Sequence, residues 1–392
     1  MAMPDDRSHS DGGDGERRRP AQAWALAGGG GLLLLGAFVA EPRAAHAATA
    51  QVWSPFVLVT GLIIVGLVAD EDGLFAALGY RLAVLAPNGF VLFAGAAVVV
   101  AVVTAVLNLD TSVVFLSPVL VYAARSRGSG SAPLLVVCIL VSNAGSLLLP
   151  GSNLTNLIVL GHLHLSGGGF ASRMALPWIG SVLVTAGIVG LVGHRELRTT
   201  TRTAFPPEPV AIGLGVFAIV AATMSVVVLR DPAVPVVLIG AGAVAARLVT
   251  GRERVDHVGA VLGLPVLVGL FGLAVALGTL GRTWTGPSAA LEHLGPAGTA
   301  AFAAVASVLV NNLPAAALLA ARTPPHPFAL LIGLDIGPNL FVTGSLAWVL
   351  WWRTARATGT RPPVARAVVL GVVCTPLAMA AALLLLGVTG TR

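Results

Sequence analysis

Two carboxylates stand apart from the other acidic residues. Of the seventeen acidic residues, only Asp110 and Asp335 fall deep within apolar sequence; the rest lie in tails, loops or the ends of apolar runs. Asp110 belongs to Asn108-Leu109-Asp110-Thr111. Asp335 opens a stretch holding Gly337, Pro338, Asn339, Thr343, Gly344 and Ser345. Two more polar clusters interrupt apolar sequence. One runs from Asn143 to Asn156 and includes Ser146, Pro150, Gly151, Ser152, Asn153 and Thr155; the other is Asn311-Asn312-Leu313-Pro314. A carboxylate at the centre of an apolar segment costs about 2.5–3.5 kcal/mol on insertion scales. Its usual work is to carry a proton or a cation. Desolvation penalises its charge, whereas a bound cation or donated hydrogen bonds favour it. No arginine falls at the same depth, so neither aspartate has an evident ion-pair partner. The bland alternative is an aspartate that merely hydrogen-bonds a chain break. The amides and hydroxyls nearby supply donors and acceptors for a small polar ligand.

Other chemistries find less support. No GxxxxGK[ST] sequence occurs, and the chain has no lysine at all, so it is not expected to hydrolyse ATP itself. No nucleophile–histidine–acid grouping lies in the apolar segments, and an enzyme is not expected. The eight histidines form no HExxH pattern. His162 and His164, two apart in a glycine-rich loop, are the nearest approach to a metal pair, but no metal or cofactor is expected. Cys138 and Cys374 each sit in an apolar run, where a core-packing role is expected.

The elements that position these clusters must be membrane helices. Hydrophobic residues make up 56% of the 392 and charged residues 10%, against roughly a quarter charged in soluble domains. The apolar residues come in long runs, such as 90–107 and 258–280, and a span needs roughly 20 of them. The formal charge of +6 does not point to nucleic acid, because the arginines alternate with apolar runs. Residues 1–22 are polar and read as a disordered cytoplasmic tail. Residues 23–52 read as a first transmembrane helix plus an outer loop. Arg17-Arg18-Arg19, an apolar stretch and Ala45-His46-Ala47 also follow the order of a secretory signal.

The runs 112–124 and 313–321 look too short to cross, and each follows a polar cluster with no room for a loop in water. Unpaired backbone at that depth survives only against protein or a wet cavity. Segments 90–124 and 297–321 therefore read as re-entrant hairpins with polar tips, expected to meet near the midplane. The stretches around Asn143 and Asp335 read as discontinuous helices. With the N-terminus inside, seventeen of the 23 arginines fall on the cytoplasmic side, as the positive-inside rule favours. Trp348, Trp351 and Trp352 then fall at the inner interface as an aromatic belt. The order hairpin, broken span, span occurs at 90–193 and again at 297–388. Asn143 aligns with Asp335, and Ser152-Asn153 with Gly344-Ser345, at a common offset of 192. The fold expected is an all-α polytopic membrane protein of two inverted repeats, 53–193 and 209–392. It has about ten transmembrane helices, two re-entrant hairpins and two discontinuous helices, with 194–208 as a cytoplasmic linker. Inverted repeats place binding at their interface. The substrate-binding set is expected to be Asn108, Thr111, Ser152, Asn153, Asn156, Asn311, Asn312, Asn339, Thr343 and Ser345. Asp110 and Asp335 are expected to couple a proton or cation.

At these residues the chain resembles a known family. Leu107-Asn108-Leu109-Asp110-Thr111 with Ser117-Pro118 resembles the hairpin motif of the ion transporter superfamily. Ser152-Asn153-Leu154-Thr155-Asn156 is similar to the signature of arsenite permeases, the arsenical pump membrane proteins. Asn311-Asn312-Leu313-Pro314, Asp335-Ile336-Gly337-Pro338-Asn339 and Gly344-Ser345-Leu346 resemble that family's second-half motifs. The resemblance covers roughly residues 50–390. It departs at Leu109-Asp110-Thr111, where an Asn-Asp-Gly is usual, at Asn143, where an acid is usual, and at Asn339, where a lysine is usual. It implies export of arsenite or antimonite driven by protons across the bacterial plasma membrane, sometimes with a separate ATPase subunit; a homodimer is an alternative assembly. Sodium–proton exchange ranks second and sodium-coupled dicarboxylate transport third, since neither tip carries Ser-Asn-Thr. A channel or a non-transporting scaffold is the contrasting class.

Overall fold

The computed structural model describes residues 12–161, 163, 165–198, 213–229, 231–249, 259 and 263–388, with side chains from residue 24 onward. His162, His164 and most of the segment 194–208 lie outside the described residues. Seventeen α-helices and three 3-10 turns make up the described regular structure, with no strand among the described residues. The first part runs α1 (Gly12–Ala40), α2 (Pro42–Glu71), α3 (Leu74–Leu85), α4 (Gly89–Val106), α5 (Leu109–Ser126), α6 (Ser131–Gly145), the turn Pro150–Ser152, α7 (Leu154–Leu160), α8 (Gly167–Val192) and the turn Glu196–Arg198. α9 (Leu214–Val228) and α10 (Ala233–Val249) follow. The remainder is α11 (Leu264–Thr283), α12 (Gly286–Glu292), α13 (Pro296–Val310), α14 (Asn312–Leu319), α15 (Pro327–Ile336), the turn Gly337–Leu340, α16 (Leu346–Ala357) and α17 (Val364–Val388). Five helices, α2, α4, α8, α11 and α17, are long and apolar enough to cross a membrane by length and composition.

Asparagine sets the breaks. Asn108 takes an extended backbone, and its Oδ1 accepts from Thr111 N at 2.7 Å, capping α5. Asn153 caps α7 and Asn311 caps α14 in the same way, accepting from Thr155 N and Leu313 N. An N-cap oxygen satisfies one of the orphan N–H groups of a helix start. Each asparagine therefore both ends the preceding segment and begins the next, with its Nδ2 free for other work.

Both helix pairs fold back. A Cβ at Gly89, where α4 starts, would fall 2.3 Å from Leu197 O. One at Gly130, just past α5, would fall 3.1 Å from Glu196 Oε2. The two ends of the α4–α5 pair thus abut one turn, Glu196–Arg198. In the second pair, α13 follows α12, which follows the end of α11. A Cβ at Gly281, near that end, would meet Leu318 O of α14 at 2.4 Å. The packing also crosses between the two parts. α5 packs on α16, α14 packs on α7, and α8 packs on α17, while α4 packs on α6 as α13 packs on α15.

Five local readings change. Residues 12–22, read as part of a disordered tail, belong to α1. Residues 42–52, read as an outer loop, form the first three turns of α2. Their alanines favour helix although they add little hydropathy, and Pro42 stands at the helix start, where no amide hydrogen bond is lost. α3 and α12 lay between the apolar runs and were not anticipated. The run 112–124 is part of an 18-residue helix, extended at both ends by polar residues that a hydropathy reading leaves out. Its length, about 27 Å at 1.5 Å per residue, would suffice to cross; the packing of its ends turns it back. Trp348 and Trp351 do not form an interfacial belt. Both are buried, donating to Pro338 O and Leu135 O at 2.9 and 2.8 Å. Trp352 alone of the three is exposed, with Arg356 over its ring at 4.8 Å.

Candidate functional site

Asp335 sits at the end of α15 with no solvent exposure. Two donors converge on its Oδ1: Asn153 Nδ2 at 2.9 Å and Thr155 Oγ1 at 2.5 Å. Both come from the start of α7, across the interface between the two parts of the chain. Asn153 reaches because its own oxygen is engaged as the N-cap, which fixes the amide nitrogen outward. The other carboxylate oxygen, Oδ2, is buried without a hydrogen-bond partner among the described residues.

A second contact mirrors the first. Ser345 Oγ donates to Asn143 Oδ1 at 3.2 Å. Shifting both members of the pair Asn143–Ser345 by 192 in opposite senses gives Asp335–Asn153. The same offset that aligns the two breaks in sequence therefore relates their hydrogen bonds, as an isologous interface requires. Asn143 Nδ2 continues the network to Asn339 Oδ1 at 2.9 Å, and Asn339 Nδ2 donates to Leu140 O at 2.9 Å. Glycine allows the breaks to seat closely: a Cβ at Gly337 would fall 2.5 Å from Ala304 Cα, on α13. Gly145, at the same offset, lies against Ala101 and Thr104 of α4.

Ser152 and Asn156 hold the first break together. Ser152 Oγ donates to Ser146 O and Leu149 O at 2.5 Å, and Asn156 Nδ2 to the same two carbonyls at 2.7 and 3.2 Å. The freed carbonyls of the broken helix are thereby satisfied, as backbone at this depth requires. These two side chains act first as struts for the break.

The two hairpin tips differ. The second is closed: Asn312 N donates to Gly344 O at 2.9 Å, Asn311 Nδ2 to Thr343 O at 3.2 Å, and Thr343 Oγ1 to Val308 O at 2.6 Å. Asn311 has φ +73°, the one positive φ outside glycine among the described residues. Such a conformation costs about 1–3 kcal/mol, and the tip contacts hold it. Thr343 itself is exposed. The first tip is open in its bonding. Asn108 Nδ2, Asp110 Oδ1 and Thr111 Oγ1 are all buried without partners. The first hairpin touches the network region through Ser112 Oγ, 3.4 Å from Ser142 Oγ, next to Asn143.

Ser146 Oγ accepts from Asn153 Nδ2 at 3.4 Å and donates to Asn143 O at 2.8 Å, so Asn153, Asn339, Ser345 and Asp335 share one buried network with Asn143, Ser146 and Thr155, which were not in the expected set. All three lay in the polar stretches already singled out, and Thr155 lies inside the Ser-Asn-Leu-Thr-Asn signature. Asn311, Asn312 and Thr343 form the adjoining closed tip. Asn108, Asp110 and Thr111 form a separate cluster with no hydrogen bond to Asp335. None of these residues lines a neighbouring cavity of about 740 Å³. That cavity opens beside the first break and is lined by Gln51, Ser54, Pro150, Leu157, Leu160 and Arg282 among others.

A family model described as citrate transporter matches residues 17–343. An arsenical pump membrane protein of Escherichia coli is 24% identical over 334 residues, which is 76% of this chain and 78% of that protein. One from Yersinia enterocolitica matches to the same extent. An uncharacterized transporter of Mycobacterium tuberculosis is 27% identical over 348 residues, 79% of each chain. Among solved structures, the YdaH transporter of Alcanivorax borkumensis, described as having an unusual topology, aligns with a TM-score of 0.49 and 15% identity. That alignment covers 91% of this chain and 86% of the other. With long apolar helices, a buried polar network at two chain breaks and a family match over most of its length, the chain belongs to the citrate transporter (CitMHS) family of multi-pass membrane transporters.

Proposed function

We propose that this protein is a secondary active transporter that exports a small neutral oxyacid, arsenite or antimonite, against protons. The observation that carries this reading is the composition of the buried network. It is built from asparagine, serine and threonine around Asp335, and no arginine, lysine or histidine donates into it among the described residues. As(OH)₃ needs donors and acceptors, not a counter-charge. A bare citrate polyanion would meet Asp335 and Asp110 with no cationic group to receive it. It fits this site only with a cation alongside, although the family takes its description from citrate. The arsenical pump relatives favour the oxyacid.

Transport in this reading exploits the unpartnered oxygen of Asp335. Its Oδ1 is held by two donors, and Oδ2 is the atom that takes the proton. Asp110, with its partnerless Oδ1 at the first tip, is the second coupling group. The outward leg carries the neutral oxyacid with the carboxylate ionised, and the return leg brings the proton in on an empty, neutral site; the ionised leg crosses the membrane field, where a full traverse is worth about 2.3 kcal/mol per 100 mV. Sodium–proton exchange is the second reading. It is favoured by the first tip, where the free oxygens of Asp110 and Thr111 suit a hard cation.

The repeats are read as 53–193 and 209–392, inverted about the two breaks, with the N-terminus cytoplasmic in a bacterial inner membrane. The reciprocal hydrogen bonds support this. So does the sidedness of polar contacts: Arg247 pairs with Glu71 and Asp72, Arg125 donates to Thr360 and Arg366 pairs with Glu196, all between residues assigned inside. Arg322 contacts Arg282 O, both assigned outside. The test is uptake by everted vesicles holding only this chain. Arsenite accumulation that follows an imposed pH gradient is expected. Accumulation that follows a sodium gradient, or of citrate with a divalent cation, would replace the arsenite reading. Flux that follows voltage alone would make the protein a channel.

A further inference from the structure

Gln51, on α2, sits where two short helices end. Its Nε2 donates to Ile158 O of α7 at 3.2 Å and to Ala320 O, just past α14, at 2.8 Å. One nitrogen on two carbonyls keeps those oxygens within about 6 Å of each other. Gln51 Oε1 in turn accepts from Arg282 Nη2 at 2.8 Å. Arg282 also donates to Gly278 O at 2.8 Å and to Ala47 O at 3.3 Å. No carboxylate pairs with Arg282 among the described residues. Instead its guanidinium lies by the C-terminal ends of α7, α14 and its own helix, α11. Helix C-termini carry partial negative charge, so a cation there is favoured. Helices α7 and α14 pack on each other, and their opposite ends are Asn153 and Asn311.

We propose that Gln51 and Arg282 are positioning residues. They clamp the C-terminal ends of α7 and α14 together, and so fix where the opposite ends place Asn153 against Asp335 and Asn311 against Thr343. The role rests on the site assigned under the proposed function, but the clamp itself does not depend on which substrate is carried. The lever is short. At 1.5 Å per residue, the five-residue step from Asn153 to Ile158 places the Gln51 contact about 7.5 Å from Asn153. A loosened end is therefore felt at the carboxylate. Gln51 supplies both the donor to the carbonyls and the acceptor for Arg282, so the two functions can be separated by substitution. Gln51→Glu keeps, and charges, the contact to Arg282. It also replaces the donor with an oxygen that repels Ile158 O and Ala320 O.

The test uses two readouts on the full chain in vesicles. Cys138 and Cys374, both buried, are replaced by alanine, and Leu160→Cys serves as a reporter at the cavity wall. Maleimide labelling of this reporter is expected to be about ten-fold faster in Gln51→Glu and Arg282→Gln, the change that follows loss of one net hydrogen bond of roughly 1.4 kcal/mol. Arg282→Lys, which keeps the charge, is expected to remain near the parent rate. The second readout is KM for whichever of arsenite, sodium or citrate the parent vesicles take up. It is expected to rise by a similar factor at unchanged membrane abundance. Parental labelling rates in both Gln51→Glu and Arg282→Gln would overturn the clamp. Faster labelling with an unchanged KM would overturn its role in positioning the site. Failure of the parent to carry arsenite would fall on the functional reading alone, since labelling needs no substrate.

Discussion

Replacing Asn153 by alanine removes two main interactions with separate costs, beside a long contact from its Nδ2 to Ser146 Oγ at 3.4 Å. The first is the N-cap of α7, for which an alanine substitution costs about 0.5–2 kcal/mol. The contact to Thr155 N is long, 3.4 Å, so the low end of that range applies. The second is the donor to Asp335 Oδ1 at 2.9 Å, a bond to a carboxyl group worth about 1.5–3 kcal/mol. Thr155 still donates to the same oxygen, which limits the loss. The expected total is about 2–3 kcal/mol, or a roughly 30- to 150-fold change if it appears wholly in site geometry. Asn153→Asp separates the two. It keeps the cap oxygen but sets a second carboxylate about 3 Å from the first. Two charges so placed repel by about 4–6 kcal/mol at an effective dielectric of 20, unless they share a proton. The assay is initial-rate flux in everted vesicles, normalised to membrane-inserted protein, with detergent thermal stability in parallel. Alanine is expected to cut flux at least ten-fold while the protein still inserts, and aspartate to cut it further with a changed pH profile. Parent-like flux in the alanine variant would refute the reasoning, because it would mean that the Asn153–Asp335 contact does not matter to transport.

Further outcomes follow from other contacts. Asp335→Asn keeps the shape but cannot titrate, so uphill transport is expected to vanish while exchange at zero gradient survives; Asp110→Asn is expected to weaken uphill transport. Gradient responses equal to the parent in both would make the carboxylates structural. Gly337→Val places methyl groups where a Cβ alone already meets Ala304 Cα at 2.5 Å, and overpacking of that kind costs about 1–3 kcal/mol, to be read as a lower melting temperature. Arg247→Ala removes the guanidinium that pairs with Glu71 and Asp72 at 3.0 and 2.5 Å, although Gly215 N still donates to Asp72; breaking a fully buried pair costs about 3–5 kcal/mol and this partly buried one less, with a lower melting temperature as the measure. Asn311→Gly relieves a φ of +73° worth about 1–3 kcal/mol but loses the tie to Thr343 O. The expected result is a protein of equal or greater thermal stability with slower transport.

Much of this was legible in the chain because lipid tolerates few arrangements. A run such as 90–107 can only be a buried or spanning helix. A cluster such as Asn108-Leu109-Asp110-Thr111 directly after it must be shielded, so helices, breaks and the two aspartates could be named from residue type and spacing. The offset of 192 was visible for the same reason, since both breaks use glycine, proline and small polar residues. What the sequence could not state was pairing. Asn143 with Ser345, and Thr155 with Asp335, are contacts across about 200 residues, and no local pattern ranks Thr155 above Ser152. Asparagines chosen as ligands proved also to be helix caps, because an amide offers an oxygen to one neighbour and a nitrogen to another. Hydropathy passed over residues 42–52 and α3, where alanine or amphipathic sequence makes helix without a long apolar run. It also placed Trp348 and Trp351 at an interface, when their indoles were committed to carbonyls in the core. Residue type and spacing along the chain determined which groups must leave the lipid. Only tertiary packing decided which partner each one met, because hydrogen-bond direction and backbone approach are set by neighbours far away in sequence.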